Sequence, residues 1–371
     1  MRLGITPLLP QIREGLRVDY GLLSLVPTAF FLSTILPAAA AGPVAARVGL
    51  KRTCIGVTVL VVAAGLLCAV SYRIGMLILL LSMMGGALSS AFPTARAAVD
   101  MTAPAARSGR SMMLIGFPTL AGCAAGSMLF GRAGWQADFL IFAAIGAAGG
   151  TIAFVVLFRR EYRPGHRQPF VGKSVAGNKA LWLLALAKGA SCAAGEGVFM
   201  FALPMLMSAR GFSPRDISGI AMMGMIGSVV GMPAGSFLSD RSNRKTAVII
   251  GLLGILPALC LIPFATGLWH FGGLMVALSF FVSATMSTGG AALSVVAAPA
   301  DQAAASGLYS TVSEDVIPLT IWSSGLAASW WGVGAAFLPP LGLAVAGTCA
   351  SVAFVRTDGR LPAMRAIGRS R

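Results

Sequence analysis

Long apolar runs alternate with short polar breaks from one end of the chain to the other. A helix that crosses a bilayer needs about 20 mostly apolar residues. Eleven runs reach that length, near 21–42, 53–71, 75–95, 111–130, 138–158, 180–207, 217–238, 246–267, 272–297, 306–328 and 332–355. A twelfth is hinted at by Met1 to Pro10, a stretch that covers about 15 Å as helix, half the hydrocarbon core. It is too short and wrongly flanked for a signal peptide. The pattern predicts an all-α, polytopic membrane protein of eleven complete spans plus a first-helix fragment. Either the start codon is assigned too late, or the gene product is truncated. An in-frame upstream extension of about 15–20 apolar residues would restore twelve spans.

Composition agrees. The 371 residues are 57% hydrophobic and 11% charged, against about 25% charged for a soluble domain. A net charge of +16 would otherwise suggest nucleic acid, but the basic residues sit in short loops between spans, as the positive-inside rule requires. Most of the 28 fall in five places: Arg47, Lys51 and Arg52; Arg96, Arg107 and Arg110; six positions between Arg159 and Lys179; Arg241, Arg244 and Lys245; and the tail from Arg356 to Arg371. The alternate loops hold Arg13, Arg17, Arg73, Arg132, Arg210 and Arg215. The first set therefore faces the cytoplasm. The six cysteines form no C-x-x-C pair and read as small residues inside helices. His166 and His270 lie far apart, so neither a metal nor a cofactor is expected.

The polar stretch 159–179, with Pro164, Gly165 and Pro169, reads as a linker. It divides the chain into an N-terminal bundle (1–158, first helix incomplete), a C-terminal six-helix bundle (180–355) and a basic cytoplasmic tail (356–371). Each half counts six spans if the fragment is included, so the halves repeat in the same orientation, one known transporter architecture. Two echoes support the repeat. The segment Ser236-Phe-Leu-Ser-Asp240-Arg241-Ser-Asn-Arg244-Lys245 matches Gly42-Pro-Val-Ala-Ala46-Arg47-Val-Gly49-Leu-Lys51-Arg52, and Arg107-Ser108-Gly109 matches Ala305-Ser306-Gly307. Gly49 or Asn243 suits a tight turn with φ > 0, and cations after a helix meet its carbonyl-rich end favourably.

These basic loops resemble the signature G-x-L-x-D-R-x-G-R-[RK] of the major facilitator superfamily. The second copy keeps Asp240, Arg241, Arg244 and Lys245; the first keeps Gly42, Arg47, Gly49, Lys51 and Arg52 but has Ala46 in the acid's place. Arg96 and Asp100 resemble the loop's usual partners, and Trp135-Gln-Ala-Asp-Phe139 resembles the family's W-R-x-x-F. The opening Gly4-Ile-Thr-Pro-Leu-Leu-Pro-Gln-Ile-Arg13, with Gly21-Leu-Leu-Ser-Leu-Val-Pro27, looks like the cyanate/nitroimidazole-type branch. The resemblance implies two pseudo-symmetric six-helix bundles, cytoplasmic gating loops that latch the halves, and a monomer in a bacterial inner membrane.

Ionisable residues inside spans are costly and mark function by default. Four stand out: Lys188, Glu196, Glu314 and Asp315. Lys188 lies about 12 Å into its span, at the depth of Glu314 and Asp315 in theirs, so a pairing of Lys188 with either acid is expected, for structure or for function. Glu196 lies about 25 Å along the same span, beyond reach of Lys188. Its carboxyl, between Gly195 and Gly197, suits either a proton carrier or a structural hydrogen bond near the outer mouth. Ser283, Thr285, Ser287 and Thr288 suit either a cavity lining or helix packing.

No P-loop is present, and no H-E-x-x-H, G-x-S-x-G or paired-His motif supports an enzyme. The expected function is secondary active transport of a small molecule by alternating access, coupled to protons. The alternative is a non-transporting scaffold or sensor on the same fold, or a degenerate transporter.

Overall fold

A computed structural model describes residues 6–35, 37, 50–102, 134–158, 177–241, 244–296 and 302–356. The chain divides into two compact units. One holds Met1–His166 with Ser213–Ser218, the other Arg167–Phe212 with Gly219–Arg371. Among the described residues all regular structure is helical. Six helical stretches there are long and apolar enough to cross a membrane: Arg52–Ala69, Lys179–Ala209, Pro214–Ser239, Thr246–Phe264, Leu268–Leu293 and Val333–Arg356. The expected span at 111–130 and the greater part of 159–179 lie outside the described residues.

The first unit contains α1 (Leu8–Leu16), α2 (Tyr20–Leu32), α3 (Leu50–Ala69), α4 (Ile74–Thr102) and α5 (Trp135–Phe158). The expected first-helix fragment ended at Pro10, but α1 runs on to Leu16. Pro10 falls in the first turn, where its missing N–H would have no partner in any case. Leu8, Leu9 and Ile12 are buried. Arg17 ends α1 in the left-handed conformation at φ 52°. Asp19 then caps α2, accepting from the N–H groups of Gly21 and Leu22 at 3.1 and 3.4 Å. The Arg13 guanidinium stacks 4.0 Å from the centroid of the Tyr20 ring.

Lipid tails are as apolar as leucine, so spans associate through close packing at small residues rather than through a hydrophobic drive. Glycine contacts accordingly fix each helix pair. Gly85 and Gly86 of α4 meet Phe30, Ser33 and Pro37, so α2 and α4 run parallel. Gly65, Gly146 and Gly150 place α3 and α5 antiparallel, against Ala143, Val61 and Thr58 in turn.

The second unit contains α6 (Lys179–Gly197), a π-helical segment Val198–Ala202, α7 (Leu203–Ala209), α8 (Pro214–Arg241, joining this unit from Gly219), α9 (Arg244–Leu261), α10 (Leu268–Val296), α11 (Gln302–Trp331) and α12 (Leu338–Arg356). Gly227, Gly231 and Gly235 of α8 abut the backbone at Val276, Phe280 and Ala284 of α10, so these two helices run parallel. That repeats the parallel α2 and α4 of the first unit. Gly251 and Gly254 set α9 antiparallel to α10 through Thr285 and Phe281. Asn178 ties the start of α6 to the end of α10. Its side chain accepts from the Leu181 N–H at 3.2 Å and donates to the Val296 carbonyl at 3.1 Å. At the other end, the Arg210 guanidinium donates to the carbonyls of Pro263 and Ala265, clamping the end of α7 to the α9–α10 connection.

Candidate functional site

The ionisable residues of the second unit lie on α6 and α11, and their register follows from two glycines. Gly189 packs on Ser313, with its missing Cβ 3.1 Å from the Ser313 Cα, and Gly197 packs on Thr320. The two helices therefore run parallel with residues 189 and 313 level. Side chains on a helix lean toward its N-terminus. Lys188 accordingly reaches back toward Tyr309, and its ammonium lies 4.4 Å from the centroid of that ring. The expected pairing of Lys188 with Glu314 or Asp315 is not what forms: among the described residues no ion pair joins Lys188 to either acid. The acids follow Tyr309 by five and six residues, about 8 Å of helical rise.

Energetics make the arrangement notable. A lysine near the centre of a span costs about 3 kcal/mol on insertion scales. A cation–π contact returns about 0.5–2 kcal/mol. Lys188 is half-buried, so part of that cost remains. The Tyr309 side chain is itself 4% exposed. Its hydroxyl is pressed against Gly289 of α10, where a Cβ would have no room, and it has no hydrogen-bond partner among the described residues. Ser191, fully buried, likewise has a hydroxyl with no partner there. Tyr309 and Gly289 were not singled out from sequence. The available signal was a tyrosine inside an apolar span.

On α11, Glu314 and Asp315 are half-buried. The Asp315 Oδ1 is buried without a hydrogen-bond partner among the described residues. Pro318 follows, and its ring removes the N–H that would bond the Glu314 carbonyl. Glu196 is also half-buried. Its neighbours pack in different directions, Gly195 on Val282 of α10 and Gly197 on Thr320 and Pro340. The π segment begins two residues after Glu196, with the Leu203 N–H donating to the Val198 carbonyl five residues back. Pro204 explains the widening, because in a regular helix its ring would collide with the Met200 carbonyl. Such bulges inside α-helices recur at functional sites.

Three polar residues of α10, Thr285, Ser287 and Thr288, make helix-packing or backbone contacts. Thr285 and Ser287 donate to carbonyls of their own helix, at Phe281 and Ala284. They seat Gly251 of α9 and Gly235 of α8 respectively. Thr288, fully buried, donates to the Thr285 carbonyl.

Of the basic-loop residues, Gly42, Arg47 and Gly49 lie outside the described residues. Lys51 and Arg52 open α3, and Arg96 and Asp100 belong to α4. The second loop is tighter than expected. α8 continues through Asp240 to Arg241 and α9 already starts at Arg244 and Lys245, leaving residues 242–243 between them. Arg241 lies at the carbonyl end of α8, with its guanidinium 4.3 Å from the Phe237 ring centroid.

A family model described as Major Facilitator Superfamily matches residues 1–193 and again 189–366. Among solved structures, a bacterial homolog of the human lysosomal transporter Spinster, inward-facing and unoccupied, is similar with TM-score 0.70. It has 15% identity, over 96% of this chain and 91% of that one. Its occupied form gives 0.68 at 16% identity, with the same coverage. A variant of the nucleoside transporter NupG gives 0.74 at 14% identity, over 95% of each chain. Among curated proteins nothing matches. The resemblance to the cyanate/nitroimidazole-type branch finds no support in these matches. Spans packed in parallel pairs, a signature loop between α8 and α9, and a family model matching across both halves lead to one conclusion: the chain is an all-α membrane transporter fold and belongs to the major facilitator superfamily.

Proposed function

We propose that this protein is a secondary active transporter that moves a small molecule by alternating access and couples the movement to protons. One observation carries the reading. Glu196, Glu314 and Asp315 lie on two parallel helices of one unit, and a buried Asp315 oxygen lacks a protein partner among the described residues. Carboxyls held inside a bilayer mark ion pathways and proton relays. Glu196, beside the π segment, is the proposed proton carrier, with Glu314 and Asp315 as the alternative pair. The charge asymmetry supports a cytoplasmic linker and C-terminus; a monomer in a bacterial inner membrane is the proposed setting. Asp240, Arg241, Arg244 and Lys245, together with the first-half loop residues, are the proposed cytoplasmic gate.

The test is uptake into proteoliposomes with and without an imposed pH gradient. The wild type is expected to accumulate substrate when a gradient is imposed. Glu196→Gln is expected to retain exchange while losing the response to pH. Unchanged pH dependence in Glu196→Gln removes Glu196 from the proton path. A wild type that carries nothing under either condition overturns the transport reading and leaves the non-transporting alternative.

A further inference from the structure

We propose that Lys188 is the charge anchor for substrate and that the transported molecule is a small organic anion; this rests on the transport reading above. The argument is one of unmatched donors. An ammonium carries three N–H donors and no acceptor. One side of Lys188 is covered by the Tyr309 ring, a contact that uses the charge but accepts no directed hydrogen bond. No carboxylate pairs with it among the described residues, although two acids occupy the adjacent helix. Glu314 and Asp315 follow Tyr309 by five and six residues, which at about 100° per residue turns them roughly 140° and 120° away from it around α11. Among the described residues of the second unit no carboxylate meets the ammonium, so the cation is free to take one that arrives from solution. A bound carboxylate or phosphate would accept charge-assisted hydrogen bonds from the ammonium.

The surroundings limit the ligand as well. Tyr309 is fixed from behind by Gly289, where no side chain would fit. The ring therefore cannot retreat toward α10, and the ammonium stays on its face. A cationic substrate would meet repulsion at this position, and a neutral one would leave the ammonium unpaired. Charge sign is thus the property the site discriminates.

The experiment uses three probe classes of matched size: the acids succinate and phthalate, the amides succinamide and phthalamide, and the amine putrescine. Thermal stability of the purified full chain reads binding, and proteoliposome uptake reads transport. In the wild type, the acids are expected to raise Tm and to be accumulated, and the amides and putrescine to do neither. Lys188→Gln is expected to need at least tenfold more acid for the same Tm shift, and Lys188→Arg to stay close to wild type. The Tm of each variant without probe checks that it folds.

Wild-type stabilisation by amide or amine as strong as by acid overturns the proposal. So does an unchanged acid response in Lys188→Gln, or the absence of any acid effect. The two readings separate cleanly. Uptake of an amide or of putrescine leaves a transporter and removes the anion site. A Lys188-dependent acid shift in Tm with no uptake of any probe leaves the anion site and removes the transporter.

Discussion

The contact between α8 and α10 yields the most quantitative prediction. A Cβ added at Gly231 would stand 2.8 Å from both the carbonyl carbon and the Cα of Phe280, and closer still to its carbonyl oxygen. Carbon atoms rest at about 3.5–4.0 Å, so Gly231→Ala asks the helices to part by roughly 1 Å. The obstructing atoms are backbone on both sides, and no rotamer change relieves them. Overpacking costs about 1–3 kcal/mol, and a rigid contact of this kind belongs at the upper end. Alanine returns about 1 kcal/mol of helix propensity, leaving a net loss of about 2 kcal/mol. For a unit of this size that corresponds to a fall in Tm on the order of 5 °C. Gly273→Ala is the control, because nothing lies within 4 Å of its added Cβ; it gains propensity alone. The assay is thermal unfolding of the purified chain in one detergent. If Gly231→Ala melts with or above Gly273→Ala, the backbones of α8 and α10 do not meet there, and the parallel register assigned to them is wrong.

Two further predictions concern other parts of the second unit. Pro204→Ala restores an N–H that can bond the Met200 carbonyl, so α6 and α7 should join as one regular helix. Rewinding the π segment as regular α-helix turns Glu196 by about 100° relative to α7. Tm is expected to rise by a few degrees and pH-driven uptake to fall; no change in either shows that the widening has another cause. Arg210→Gln loses the fork on the Pro263 and Ala265 carbonyls, expected to cost about 1–2 kcal/mol after allowing for its exposure. Arg210→Lys should not restore the lost stability, because an ammonium cannot span two carbonyls as a planar guanidinium does. Thermal unfolding of both variants decides it.

The helices were legible in the sequence because a bilayer demands long apolar segments and leaves few other solutions. Where boundaries moved, a local reason is visible. Pro10 did not end α1 because it occupies a first turn that has no N–H bonds to lose. α8 and α9 extend into the basic segment until two residues separate them, since charged side chains at the membrane surface are compatible with helix and need no loop. The stripe Gly227, Gly231 and Gly235 carries its own spacing signal, four residues apart on one face. Its partner helix does not, because several spans offer similar surfaces and only tertiary structure chooses among them.

The candidate site was half legible, and the missing half is geometric. Cost alone identifies Lys188, Glu196, Glu314 and Asp315, since each is expensive in a membrane. Depth counted from the helix ends placed Lys188 level with the two acids, and so suggested a pair. That count fixes height but not direction: residues five and six apart on one helix point roughly 120–140° apart around it. Direction moves the partner of Lys188 from Glu314 to Tyr309, and a cation that faces an aromatic ring replaces an internal ion pair. The consequence for function is a reversal of expectation. A Lys188–Glu314 pair would have been electrically closed and indifferent to substrate charge. A lysine backed by Tyr309, which is held in place by Gly289, meets no carboxylate among the described residues, so under the proposal above the register of α6 on α11 sets the charge selectivity that the probes would measure.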